Sequence, residues 1–450
     1  MTLVRIIAAL IALMPLVAGC ARYNEEPLNL AAASLRIPDA AILARDAATI
    51  DRPYLKPIAI DLAQPLDANA VAVLAVLANP DLKALRERAG VADAQAFAAG
   101  LFPDPSFSFG IDHIIKGPDP FDNLAGALGL NLAALRTRAA VRSQAQAAAR
   151  QVRLDLAWAE WQTAGRARLQ ATRIDGLERT GALASASRTA SQSLLDRMLR
   201  AAGRGDLPPD QVQGARLAAF DAAERLRVNE GDLASARFEM TRLLGLPPSY
   251  PLRLARNSIP NEPLEPDRLF VVAARERLDL KALQAGYAAE EAAVRKAVLD
   301  QFPTLDLTLN AARDTGGNRL FGPAIGLTLP LWNRNRGGIA IEQATRAALK
   351  AEYSARLAQT RAEIAAAAGA IAVAQRQRAA LLADLPTLTR FAQANTRAAG
   401  RGDLAVATAQ TAEAALRDKQ LLLAQAEQAI SEQTIALELL TGVPSESWPR

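Results

Sequence analysis

Two stretches of strict alternation interrupt a chain whose apolar residues otherwise recur at helical spacing. Phe107, Phe109 and Ile111 alternate with Ser106, Ser108, Gly110 and Asp112. Much later Leu305, Leu307 and Leu309 alternate with Thr304, Asp306, Thr308 and Asn310. A period of two sends successive side chains to opposite faces, so both stretches predict strands. Turn-rich segments follow at 116–123 and 314–318. A second alternating run then comes at 124–132, and at Ile325, Leu327, Leu329 and Leu331. The pattern predicts two hairpins with strands of about nine or ten residues, the length a tilted strand needs to cross a bilayer.

Helices surround each hairpin. A moderate one, about 81–101 and again 279–301, stops at Phe102-Pro103 and Phe302-Pro303, because proline lacks a donor and disfavours helix before itself. After the first hairpin, residues 133–207 contain no proline, enough for about 65 helical residues and roughly 100 Å. The counterpart at 338–398 carries Pro386, where a kink is predicted. Each long helix runs to Gly-Arg-Gly-Asp-Leu and a turn. A return helix follows, with apolar heptads at Ala219, Leu226, Leu233 and Met240, and at Leu416, Leu423, Ile430 and Leu437. Sevens of this kind form a coiled-coil seam.

The chain repeats itself. Residues 201–207, Ala-Ala-Gly-Arg-Gly-Asp-Leu, recur letter for letter at 398–404, an offset of 197. Leu-Gly-Leu-Asn-Leu at 128–132 matches Ile-Gly-Leu-Thr-Leu at 325–329 with the same offset. Asp-Leu-Lys-Ala-Leu occurs at 81–85 and 279–283. The period is far longer than any solenoid unit and predicts one duplicated fold, with copies at 67–250 and 262–445.

Composition narrows the chemistry. The 450 residues suffice for several ordinary domains or one large architecture. Lys and Arg exceed Asp and Glu by 52 to 47, a small, dispersed excess of +5, so nucleic acid is a poor partner. Half the residues are apolar but only 4% are aromatic. Alanine makes up the difference, which suits long, closely packed helices. One His and one Cys argue against a protein-ligated zinc, haem or iron–sulfur site and rule out an internal disulfide. A Ser-His-Asp or Cys-His site would need His113, which lies at a strand end and suits a loop role better than metal handling. Trp158 and Trp161, inside the first long helix, suit packing.

The cysteine is well placed. Arg5 and the apolar run 6–17 form a secretory signal over 1–19, too short to span a membrane. Val17-Ala18-Gly19-Cys20 resembles a bacterial lipobox, in which Cys20 would become the lipid-bearing first residue. Ala21 rather than Asp after it fits sorting to the outer membrane. Beyond Cys20 the longest apolar run is 364–374, about half of what a spanning helix needs. A bilayer would therefore be crossed by strands. Four strands cannot close a barrel alone, since single-chain barrels start at eight, so several chains must contribute to one barrel.

Order, spacing and duplication together resemble the TolC-like outer-membrane efflux protein family, in its lipid-anchored form. The carrying features are the Cys20 lipobox, the doubled helix–hairpin–helix–helix order, Pro330-Leu331-Trp332-Asn333-Arg334-Asn335-Arg336-Gly337-Gly338, the two Gly-Arg-Gly-Asp-Leu turns and the Leu-Leu-Gly ends. The resemblance implies a mainly α fold with membrane β. Three chains would build a 12-stranded outer-membrane barrel continued by a 12-helix periplasmic tunnel. It implies a passive exit duct with no catalytic residue, cofactor or metal. Its partners would be two further copies, outer-membrane lipid, a periplasmic adaptor and an inner-membrane transporter. Residues 20–66, with five prolines, would be an arm wrapping the tunnel.

The turns at Gly203, Arg204, Gly205, Asp206 and Leu207, with Asp210 beyond, and at Gly400, Arg401, Gly402, Asp403 and Leu404 would form the periplasmic tip that meets the adaptor. The glycines suit a helix C-cap and tight turn. Asp206 and Asp403 suit the N-cap of the return helix, and Pro208 an early position in it. The acidic rings with which relatives narrow the aperture have no counterpart, since no acidic residue lies between Asp403 and Glu413.

Two other readings fit less. A periplasmic adaptor lipoprotein would share the long helices and anchor, but carries one hairpin flanked by β-rich modules. A lipid-anchored enzyme would need a constellation of titratable residues that the sequence does not offer. Cys20→Ser should abolish fatty-acid incorporation in metabolic labelling and leave the signal uncleaved or cut elsewhere; label retained on the mutant would refute the lipobox.

Overall fold

A computed structural model describes residues 23–28, 39–52, 54–255 and 265–449. Residues 1–37 and 38–450 form separate units. Within the first, residues 23–28 run without helix or strand. The signal segment and Cys20 lie outside the described residues.

The second unit opens with α1 (Ala40–Ala48). One series then follows: α2 (Ala68–Ala78), α3 (Pro80–Ala98), β1 (Ser106–Asp112), β2 (Asn123–Asn131), α4 (Leu132–Gly203) and α5 (Val212–Leu243). The same series recurs as α6 (Pro266–Glu276), α7 (Leu278–Leu299), β3 (Thr304–Arg313), β4 (Arg319–Thr328), α8 (Arg336–Gly400) and α9 (Val406–Thr441). Helix α4 has 72 residues and spans about 108 Å at 1.5 Å per residue. Helix α8 passes Pro386 without ending. Strand β4 stops at Thr328, short of the alternation at Leu329 and Leu331, because Pro330 has no N–H for a ladder. Among the described residues no single helix is long and apolar enough to cross a membrane.

Helix α2 escapes the periodicity argument. Helix α2, Ala-Asn-Ala-Val-Ala-Val-Leu-Ala-Val-Leu-Ala, is apolar all round and buried, so no stripe marks it. Its start is capped by Asp67, whose carboxylate accepts from the Ala70 amide at 2.7 Å. Asn79 then separates it from α3, accepting from the Leu82 amide at 3.1 Å, with Pro80 in the first turn of α3, where a missing N–H costs nothing.

The four strands form one antiparallel sheet in sequence order, β1-β2-β3-β4. Its registers line up Phe107, Leu128, Leu309 and Pro323 across all four strands, and Ser108, Ala127, Asn310 and Gly322 in the next row. One face thus collects phenylalanine, leucine and isoleucine, with Arg313 and Arg319 at its loop end, and the other collects serine, threonine, asparagine, aspartate, alanine and glycine, with Leu320 near its loop end. Strands β1 and β4 are the free edges.

Two arginines on α4 tie the sheet to the helices. Arg138 donates to the Gly100 and Leu101 carbonyls at the end of α3 and lies 3.9 Å from the Phe102 ring centre. Arg136 reaches the other half, donating to the Pro303 carbonyl at 2.9 Å and the Phe302 carbonyl at 3.3 Å. Asn335, before α8, donates to the Ala297 carbonyl at 2.8 Å.

The main core lies midway along the helices. Val71 and Leu74 of α2, Trp161 and Ala164 of α4, Met240 of α5 and Tyr54 and Ile60 of the preceding segment pack together. Trp161 is fully buried, meets Tyr54 edge-on at 5.2 Å and points its indole N–H at the Leu439 carbonyl, 3.4 Å away. A Cβ on Gly165 would come within 2.2 Å of Leu439, and one on Gly176 within 2.2 Å of Gln428, so these glycines let α4 and α9 approach closely. A second cluster joins Leu269 and Ala273 of α6 to Ile364, Ile371 and Leu437. Of the eight heptad positions, Ala219, Met240, Ile430 and Leu437 are buried, whereas Leu226, Leu233, Leu416 and Leu423 are half-buried.

Segment 50–66 is fastened by charge. Glu160, 1% exposed, receives Arg52 Nε at 2.6 Å, Arg86 Nη2 at 2.8 Å and the Tyr54 hydroxyl at 3.1 Å. Burial alone would push the Glu160 carboxyl up, but the hydrogen bonds from Arg52 and Arg86 outweigh it and hold it below its ordinary value. Lys56 also pairs with Glu446, joining the segment to the C-terminal turn.

A carboxyl held low in the folded state contributes stability that is present above its unfolded value of about 4.3 and is lost as pH falls through the folded value. Segment 50–66 should therefore resist chymotrypsin cleavage after Tyr54 at pH 5.5 as well as at pH 7. Glu160→Gln should be cut about tenfold faster at both, since charged hydrogen bonds are lost. Mass spectrometry of timed digests reads the rate; equal rates would remove Glu160 as the fastener.

Candidate functional site

The two tips are built alike from residues at the ends of α4 and α8. In the first, the Asp206 amide donates to the Ala201 carbonyl and the Gly205 amide to the Ala202 carbonyl, both at 3.0 Å. In the second, Asp403 donates to Ala398 at 3.0 Å and Gly402 to Ala399 at 3.1 Å. This pairing closes a helix through one left-handed residue, here Gly205 at φ 81° and Gly402 at φ 83°. Gly203 and Gly400 are the last helical residues and have no such need.

The aspartates do not cap the return helices as the sequence suggests. An Asp206 N-cap would accept from residues 208 and 209, and both are prolines without an N–H. After Pro208 the chain makes a 3-10 turn, Pro209–Gln211, which holds the exposed Asp210, and α5 starts at Val212 with no side-chain cap. Helix α9 likewise starts at Val406 behind Ala405, uncapped. Each carboxylate instead accepts from the arginine two residues before it: Arg204 Nε to Asp206 at 2.9 Å and Arg401 Nε to Asp403 at 2.8 Å. All four side chains are exposed. Each arginine is thus held through Nε, with its Nη donors open to solvent.

The tips share one end of the fold. Helix α4 rises from Trp161 to Arg179 while α9 falls from Leu439 to Glu427, as the Trp161–Leu439 bond and the Arg179–Glu427 pair at 3.4 Å show. From that pair α4 continues 24 residues to Gly203 and α9 runs back 21 residues to Val406, so both arrive at similar distances, roughly 32–36 Å on. Beneath the first tip Leu195, Val212, Ala215 and Ala219 are buried, with Leu207 packed on them. The positions 197 further on are Ala392, Ala409, Ala412 and Leu416; Ala392 and Ala409 are buried, whereas Ala412, Leu416 and Leu404 are half-buried.

His113 lies at the opposite end, with Nδ1 2.7 Å from Asp122 in the exposed loop after β1. The Arg-Asp clamps were not read from the sequence, although the Arg-x-Asp spacing beside a glycine that must adopt φ > 0 is their signal. The Glu160 cluster had no local signal, since its members come from three places along the chain.

Residues 269–443 match the family of outer membrane efflux proteins. No curated protein matches the chain. In fold the chain is similar to VceC, an outer membrane protein of Vibrio cholerae, with 14% identity over 84% of this chain and 96% of that one and a TM-score of 0.70. It is also similar to the CmeC outer membrane channel of Campylobacter jejuni, with 15% identity over 83% and 85% and a TM-score of 0.67. The open MtrE outer membrane channel of Neisseria gonorrhoeae is similar at 14% identity over 83% and 88%, with a TM-score of 0.62. At such identities the likeness establishes the fold.

The tip geometry separates the glycines. A Cβ meets nothing within 4 Å at any of the four, so only backbone conformation decides the outcome. Gly205→Ala and Gly402→Ala should each destabilise by about 1–2 kcal/mol. Gly203→Ala and Gly400→Ala should be neutral or stabilise by up to about 1 kcal/mol. Thermal unfolding followed by circular dichroism ranks the four; equal effects would refute the left-handed closure.

Proposed function

We propose that this chain, whose residues 269–443 carry an outer membrane efflux protein domain and whose fold is that of outer-membrane channels, is the outer-membrane component of an efflux system. Three copies contribute four strands each to one 12-stranded barrel and four helical strands of tunnel wall each below it. Cys20 carries the lipid anchor. The duct is passive, and substrates reach it from an inner-membrane transporter through a periplasmic adaptor.

The single observation that carries this is the sheet: four antiparallel strands with one apolar face, one small and polar face, and two unpaired edges. Exposed Phe107, Phe109, Ile111, Ile325 and Leu327 on one face suit lipid, and the other face suits a water-filled lumen. Unpaired edges are not tolerated in hydrocarbon, so closure by further copies follows. A periplasmic adaptor is not favoured, because one sheet joins strands from both halves of the chain.

The tips are the docking end on this reading. Two clamped arginines per chain place six on one ring of a trimer, each offering Nη donors to carbonyl or carboxylate groups of the adaptor. No carboxylate stands in the first turns of α9 after Asp403, so an acidic constriction there is not part of the proposal. Arg204→Glu together with Arg401→Glu should cut export and adaptor cross-linking at least about tenfold, since each lost charge-assisted contact has that order of effect. Trimer amount and membrane insertion should stay normal. Normal export with normal cross-linking would count against docking at these arginines, whereas loss of the trimer itself would assign the tips to assembly.

A further inference from the structure

We propose that Arg313 and Arg319 form a binding site for the phosphate headgroup of an outer-leaflet lipid, on the apolar face of the sheet at its loop end. This rests on the outer-membrane reading above, which turns that face to lipid and that end to the cell exterior.

The two arginines stand directly opposite each other. The register of β3 on β4 pairs Arg313 with Arg319, and they complete the row Ile111, Leu124, Arg313, Arg319 on the apolar face. The next row towards the helices is Phe109, Gly126, Ala311 and Phe321. Like charges directly opposite in a sheet repel. Neither guanidinium has a carboxylate partner among the described residues. The acidic side chains of the two hairpin loops are engaged elsewhere. Asp112 accepts from Asn123 at 2.9 Å, Asp119 from the Thr315 hydroxyl at 2.6 Å and Asp314 from the Asn318 side chain at 2.8 Å. Asp122 lies 2.7 Å from His113 Nδ1.

The duplication supplies an internal contrast. The offset of 200 at the Phe-Pro corners carries Arg313 onto His113, and the offset of 197 carries Arg319 onto Asp122. In the first hairpin the equivalent places therefore hold a His-Asp pair that closes on itself. In the second both places are cationic, and the pair offers its charge outward.

Arg313 is also held in position. Its guanidinium lies 4.6 Å from the Phe121 ring centre. Phe121 is itself seated on the β3–β4 turn, where its amide donates to the Thr315 carbonyl at 3.3 Å. Its ring stands 3.1 Å from where a Cβ on Gly317 would be. Arg313 Nε is buried without a partner, while Arg319 is exposed. Residues opposite in an antiparallel pair have Cα atoms about 4.5–5.5 Å apart, so both planar forks can reach one phosphate, which accepts such forks bidentately. Phe109 and Phe321, one row further in, are exposed and suit the acyl chains of the same molecule. Charge that continues directly into apolar surface selects a lipid over a soluble anion.

Native mass spectrometry of the full-length protein in detergent, with bisphosphorylated lipid A as the probe, should show one adduct per chain. Dephosphorylated lipid A should bind at least about tenfold more weakly. Arg313→Gln together with Arg319→Gln should weaken binding of the phosphorylated lipid by at least about tenfold, because the charge-assisted contacts of both arginines are lost. Arg319→Gln alone repeats the test should the double variant insert poorly, and His113→Gln should bind like the parent. Millimolar inorganic phosphate should leave the lipid in place. Equal binding of the two lipids, or equal binding by parent and double variant, overturns the site. Displacement by inorganic phosphate overturns the lipid as its occupant. Unchanged lipid binding with faster trimer dissociation in the double variant assigns the arginines to a carboxylate of the next copy and overturns the proposal. A monomer by native mass overturns the trimeric reading itself, whatever the arginines bind.

Discussion

Unpaired backbone groups on the outer edges of β1 and β4 constrain everything else in this protein. A four-stranded sheet has two such edges, and each edge N–H or C=O left bare in hydrocarbon costs several kcal/mol. The alternation of Phe107, Phe109 and Ile111 with serine and glycine shows that one face suits an apolar medium. The same sheet therefore suits lipid on a face and is intolerable to it at the edges. On the proposed reading, additional copies relieve the conflict without altering the chain.

Helices α4 and α8 follow the strands and lie beside their neighbours over a great length, with alanine rather than bulky residues at many of the buried positions. Close approach of α4 and α9 depends on Gly165 and Gly176. Bulk is concentrated at mid-length, where Trp161, Met240 and Leu74 fill the main core. There α2 inserts against α4, and segment 50–66 is held on Glu160. Removing one member of a buried charged cluster strands the others, so the cluster specifies one seating for the segment.

Duplication preserved positions and exchanged chemistry. Asn79 donates to the Leu243 carbonyl at 3.0 Å, and Arg277, its counterpart, donates to the Leu440 carbonyl at 3.1 Å. The return helices then end at Gly245 and Gly442, both left-handed. The tips keep the Arg-Asp clamp in both halves, while the residues beneath them are exchanged: Leu195 and Val212 in the first stand where Ala392 and Ala409 stand in the second, and Ala219 where Leu416 stands.

Much of this was legible in the chain itself. Period-two runs located β1, β2 and β3 but only the second half of β4, whose first residues 319–324 were not marked by alternation; proline and glycine located the corners, and the offset of 197 pointed to the repeated order of elements, because these signals are local and repeat. The Gly-Arg-Gly-Asp tips were found for the same reason. What only the tertiary structure decided involved partners distant along the chain. Asp206 caps nothing because Pro208 and Pro209 offer no N–H, and it turns instead to Arg204. Helix α2 has no periodic stripe because every side of it is covered. Glu160, Arg52, Arg86 and Tyr54 meet only when segment 50–66 crosses α3 and α4. The left-handed pair Arg334-Asn335, between the end of β4 and the start of α8, has no mark in the periodicity. Periodicity reports which face of an element is covered; it carries no record of which distant side chain does the covering.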